Sequence, residues 1–141
     1  MVTYQWAQQA SVQWTRIDML LALLEETIRV LKELLRLEDN EQTKEVRKET
    51  QWLWHRSQLL VAALISGVNP ALGEVAISCL RLYEYVHYVV QNRKVGELAG
   101  AVRILETIHS GFESIRHEAV NLERQGLLPP LWATSSWELT A

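Results

Sequence analysis

Residues 73–86 read Gly-Glu-Val-Ala-Ile-Ser-Cys-Leu-Arg-Leu-Tyr-Glu-Tyr-Val, and the way their apolar side chains repeat decides the fold. Ala76, Cys79, Tyr83, Val86 and Val90 step by 3, 4, 3 and 4 residues. That spacing keeps side chains on one face of an α-helix. Ile77, Leu80, Leu82 and Tyr85 fall off the stripe and are also apolar or aromatic. A helix that is apolar nearly all round packs on several sides or meets a partner.

The flanking segments carry the same period. Before the central stretch, Gly67-Val-Asn-Pro is a stop followed by a start. Gly suits a helix C-terminus, Asn an N-cap and Pro the first helical position, so the third helix is predicted over residues 70–91. The second is predicted over residues 41–66. Val46, Thr50, Leu53, Ser57, Leu60 and Leu64 form one stripe, Trp54, Gln58, Val61 and Ile65 a second, and Trp52 stands beside the first. The first helix is predicted to start near Thr15, with Asp18 completing a variant capping box. Ile17, Leu21, Leu24, Ile28, Leu31 and Leu35 are its core stripe, up to the polar break after Leu37. A fourth helix is predicted over residues 95–124, where Leu98, Ala101, Leu105, Ile108, Phe112, Ile115, Ala119 and Leu122 make a heptad seam and Gly126 is the natural stop. Four amphipathic segments with short breaks predict an all-α, antiparallel up-down-up-down four-helix bundle over residues 15–126. An aromatic arm, residues 1–14, precedes it. A tail, residues 127–141, bearing Trp132 and Trp137, follows.

A length of 141 residues fits one domain, and 48% hydrophobic residues supply a core. The net charge of −3 is mild and unclustered, which argues against a nucleic-acid footprint. No basic segment ahead of an apolar run gives a signal peptide, and the apolar run from Leu59 to Ile65 is far short of the roughly 18 residues of a membrane span. With a single cysteine, Cys79, there is no internal disulfide. The expectation is a soluble, cytoplasmic protein without membrane insertion.

Catalytic chemistry finds little footing. Glu84 with His87 and Glu106 with His109 have the Glu-x-x-His spacing of di-metal bundles. The core stripes of the first two helices carry no carboxylate to complete such a site, so no metal and no cofactor is expected. Arg81 with His87 and Arg103 with His109 loosely resemble the Arg-x(4–6)-His signature of HEPN-type ribonucleases, but Leu82 and Ile104 follow the arginines where that family is usually polar. Cys79 lies on a core stripe, where a free thiol acts as a small hydrophobe. No glycine-rich phosphate loop is present. What is left is surplus apolar helix surface, the mark of a protein that holds another helix.

Glu74-Val75-Ala76 followed by Leu82-Tyr83-Glu84-Tyr85-Val86 resembles the Glu-Ile-Ala … Leu-Tyr-Asp-Tyr-Ile stretch of the flagellar export chaperone family, FliS, with the same spacing between the halves. Ser11-Val12-Gln13, Thr15 and the run Met19-Leu20-Leu21-Ala22-Leu23-Leu24 are similar to that family's approach to its first helix. Arg16 stands where the family usually has Pro, and Leu24 where it has Tyr. The resemblance implies a non-enzymatic type III export chaperone that binds the C-terminal helices of flagellin, prevents premature polymerisation and helps deliver it to the export gate. The candidate partner contacts are Tyr4, Trp6 and Val12 of the arm and, as groove walls, Trp54, Leu82 and Tyr85, with Tyr83 expected in the core. The competing readings are a HEPN-like nuclease of a toxin module and a homodimeric bundle that buries its extra stripe against itself.

Overall fold

The computed structural model describes residues 15–127, which form four α-helices and no strand. These are α1 (Arg16–Glu38), α2 (Lys44–Ser66), α3 (Glu74–Gln91) and α4 (Leu98–Arg124), with 3-10 turns at Pro70–Leu72 and Val95–Glu97. This is the expected all-α four-helix bundle. The arm and most of the tail lie outside the described residues. The described residues fall into two compact units, one of residues 23–110 and one of residues 15–22 with 111–127. None of the described helices is long and apolar enough to cross a membrane.

Helix ends follow local chemistry. The Thr15 backbone N–H and hydroxyl both donate to Asp18 Oδ2, at 3.4 and 2.9 Å, and the Asp18 N–H donates back to Thr15 Oγ1 at 3.4 Å. That is the capping box expected from the sequence. α2 begins three residues later than expected. Thr43, in extended conformation, accepts the Val46 N–H at 3.2 Å, while Gln42 Nε2 donates to the Leu37 carbonyl that ends α1, at 3.1 Å. Residues 41–43 are therefore connection and cap. α4 ends in a Schellman turn, with Gly126 at φ +79° and the Leu127 N–H reaching the Leu122 carbonyl at 2.9 Å.

The third helix departs most from expectation. Asn69 Oδ1 accepts the Ala71 N–H, but the turn it starts is 3-10 and stops at Leu72. Gly73 then takes φ +121° and ψ −167°, a region open essentially to glycine alone, and the α-helix begins at Glu74. Asn-Pro and Gly73 thus act in succession: one starts a turn, the other redirects the chain into α3.

The core of the larger unit draws on all four helices. Val30, Leu31 and Leu34 of α1, Trp54, Val61 and Leu64 of α2, Tyr83, Val86, Val89 and Val90 of α3, and Leu98, Ala101 and Leu105 of α4 are buried. Burying one such side chain fully is worth about 1.5–3 kcal/mol. Thr50 and Ser57, the small hydroxyl residues of α2's stripe, bond back to the carbonyls of Arg47 and Trp54 and so enter the core without unpaired hydroxyls. In the smaller unit Ile17, Leu21 and Val120 form a separate cluster with Phe112 and Ala119 against it. Here the heptad seam of α4 fails in part: Ile115 is 48% exposed, whereas Val120 and Glu123 are buried. A straight helix drifts by roughly 20° per heptad, so a seam in register at Leu98 has rotated away by Ile115. Glu123 accepts the Arg16 N–H at 3.3 Å, and Arg116 donates to Asp18 at 2.6 Å. Burial pushes the Asp18 carboxyl up, but hydrogen bonds from Arg116 and Thr15 outweigh it and hold Asp18 below its ordinary value.

Tyr83 is buried as expected, yet its hydroxyl makes no hydrogen bond of normal geometry, although it lies beside Cys79. Burial pushes this phenol far above its ordinary value. A buried unpaired hydroxyl costs about 1–3 kcal/mol. Tyr83→Phe is therefore expected to raise stability by about 1 kcal/mol in urea melts. Gly73→Ala is expected to lower it by about 1–3 kcal/mol through backbone strain alone, since an added Cβ meets no atom within 4 Å.

Candidate partner-binding surface

α3 carries two adjacent apolar stripes. Ala76, Cys79, Tyr83, Val86 and Val90 face the core, half-buried at the first two positions and fully buried at the last three. Beside them run Val75, Ser78, Leu82, Tyr85 and Val89, again spaced 3, 4, 3 and 4. Val89 is fully buried, Leu82 and Tyr85 are each 39% exposed, and Val75 is 80% exposed. The packing thins toward the N-terminal end of α3. There the preceding turn adds Leu72, also 80% exposed. Isolated surface leucines are ordinary, but neighbouring apolar residues along one helix edge form a patch that marks an interaction site.

Of the expected site residues, Leu82 and Tyr85 lie on this patch. Trp54 does not. It is 2% exposed, packed in the core, with its indole N–H donating to Glu38 Oε1 at 3.4 Å. Its place as a groove wall is corrected: the second stripe of α2 is needed inside, where Trp54 and Val61 complete the core. Tyr4, Trp6 and Val12 lie outside the described residues. Sequence reading missed Leu72 and Val75. The signal was present, because Val75 begins the same seam as Leu82 and Tyr85.

Two of the titratable residues singled out from the sequence, Glu106 and His109, are engaged with α1. His109 Nε2 is 2.9 Å from Glu25 Oε1, and Lys32 reaches Glu106 at 3.2 Å, so both members of one Glu-x-x-His pair meet α1. Among the described residues no three His, Cys, Asp or Glu side chains gather as metal ligands. Burial pushes the half-buried Cys79 thiol up, against the pull of the Tyr83 hydroxyl, which disfavours the nucleophilic thiolate. Arg103 is exposed.

A second exposed region lies on α2. Trp52 is 58% exposed and Leu59, two turns on, is 60% exposed. The Arg56 guanidinium sits over the Trp52 ring, 5.6 Å from its centroid, and donates from Nε and Nη2 to Glu26 Oε1 at 3.3 and 3.1 Å. Glu26 also accepts from Arg29. The hydrogen bond from Arg29, opposed by burial and helped by Arg56, lowers the Glu26 carboxyl to about 2.

No protein-family model matches this chain, and no curated protein or solved structure matches it.

The Glu26 cluster sets a pH dependence. Its carboxyl titrates lower folded than unfolded, so its contribution is complete above the ordinary value of 4.5 and fades as pH falls toward about 2. Urea melts across that window are expected to show falling stability in the wild type and a flatter profile in Glu26→Gln.

Proposed function

We propose that this protein is a non-enzymatic, cytoplasmic export chaperone that holds the amphipathic C-terminal helical segment of flagellin, in the manner of the flagellar export chaperones its central stretch resembles. The observation that carries this reading is the second stripe of α3, exposed at Val75, Leu82 and Tyr85 while the neighbouring stripe is buried at Tyr83, Val86 and Val90. A helix laid along Val75, Leu82 and Tyr85 recovers burial that α3 lacks in the free protein. The exposed residues are spread along several turns of α3, which suits a client that must be released for export. Dispersed contacts allow peeling, whereas one deep pocket concentrates the binding energy. Covering the client's apolar face also keeps it from pairing prematurely with other copies.

Flagellin of the same organism is expected to co-purify with the chain, and flagellin lacking its C-terminal helices is not. Failure of the full-length client to co-purify refutes the reading. Tyr85→Asp places a charge in the patch and is expected to abolish the complex while leaving the far-ultraviolet helical signal and the melting temperature nearly unchanged, because Tyr85 is already partly in water. A Tyr85→Asp protein that still binds client removes α3's stripe from the proposal.

A further inference from the structure

We propose that α3 is two opening units in one helix: its first half, residues 74–82, opens and closes about Gly73 while its second half stays docked in the core. The opening itself is independent of the chaperone reading. Its use with a bound client rests on that reading, because Val75 and Leu82 of the exposed stripe lie on the opening half and Tyr85 on the docked half.

Burial divides the helix. No residue between Leu64 and Tyr83 is buried, a span that takes in the end of α2, the 3-10 turn and the first half of α3. From Tyr83 on, Val86, Val89 and Val90 are essentially withdrawn from water. Within the first half only Ala76, Cys79 and Leu80 are even half-buried. Segments with few buried apolar side chains and exposed backbone bonds open at a small fraction of the global unfolding free energy. Local chemistry adds to this. No side chain caps α3 at Gly73, whereas Thr43 caps α2 and Thr15 with Asp18 caps α1. Val75, Ile77, Ser78 and Cys79 are weak helix formers, and Gly73 raises the entropy of the opened chain. α2 also starts on an exposed turn, but its threonine cap and its run of Lys, Glu and Arg hold that turn in the helix.

Tyr83 sits at the boundary and favours the opening. Among the described residues its hydroxyl is the one buried side-chain polar atom without a hydrogen-bond partner. It lies beside Cys79, one turn back on the opening half, because a long helical side chain leans toward the N-terminus over the residue four before it. Other hydroxyls that enter this core are paired: Thr27 donates to the Leu23 carbonyl and Ser57 to the Trp54 carbonyl, each at 2.7 Å. When Cys79 moves off with the first half, water reaches the Tyr83 hydroxyl and the penalty of leaving it unpaired is relieved. Val86, Val89 and Val90 meanwhile keep the second half in place. A client helix laid along the stripe gives Val75 and Leu82 the apolar cover they lack, and so holds the first half closed.

Residue-resolved hydrogen–deuterium exchange of the full chain tests this. The amides of residues 78–82 bond to carbonyls within α3, so slow exchange there requires a closed first half. They are expected to exchange about a hundredfold faster than those of residues 86–90, at rates that hardly change in urea below the unfolding transition. Tyr83→Phe is expected to slow the amides of residues 78–82 about fivefold, because opening no longer hydrates a hydroxyl. Flagellin of the same organism is expected to slow the same amides about tenfold. Equal exchange along α3 overturns the proposal. So does a Tyr83→Phe protein in which residues 78–82 exchange at the wild-type rate. A flagellin complex that leaves these amides as fast as in the free protein overturns closure by a client. Absence of any complex refutes the chaperone reading, and exchange in the free protein then decides the opening by itself.

Discussion

Burial of Tyr83, Val86, Val89 and Val90 ties α3 to the core of the larger unit, where α2 packs against it. Each of these four side chains is essentially withdrawn from water, and together they are worth several kcal/mol of apolar burial. The burial is concentrated in the C-terminal half of α3. Toward the N-terminal end the same face carries Ala76 and Cys79, too small to draw the neighbouring helices in, and the adjacent edge is left partly wet. The exposed stripe follows from this unequal packing. It is the remainder of a helix that has more apolar surface than its own bundle covers.

Gly73 sets where that remainder begins. Its positive φ ends the 3-10 turn after Leu72 and starts α3 at Glu74, and Leu72 and Val75, on either side of the break, both stay in water. A continuous helix from Pro70 would carry Leu72 on with the period of α3. On α2 the division is different. The buried positions of both of its apolar stripes serve the core, and what it exposes is Trp52 and Leu59 set among charged residues of both signs. The two surfaces thus differ in kind, one a graded apolar edge and the other an anchored aromatic with charge beside it.

The number of helices, the capping box at Thr15 and Asp18, the stop at Gly126 and the place of Tyr83 in the core were all legible in the sequence. Each is a local signal or a strong period, and both survive without knowledge of neighbours. Trp54 was not legible in this way. A second stripe on α2 is equally consistent with a core position and a groove wall, and only the position of the other helices separates them. The start of α2 was also misplaced, because Glu41 and Gln42 have good helix propensity, yet the Gln42 amide is taken up by the end of α1. The heptad seam of α4 was regular in sequence and only partly buried in structure, since regular spacing does not keep a straight helix in register over its length.

The sequence by itself determined the class of fold and the surplus of apolar helix surface, because periodicity and capping act within a few residues of chain. The tertiary structure decided which part of the surplus stays exposed. Two apolar stripes on one helix compete for the same limited core, and the winner depends on which neighbours lie against each. On α2 both stripes supplied the core, Trp54 among them. On α3 one stripe went inside, and Val75, Leu82 and Tyr85 were left at its edge.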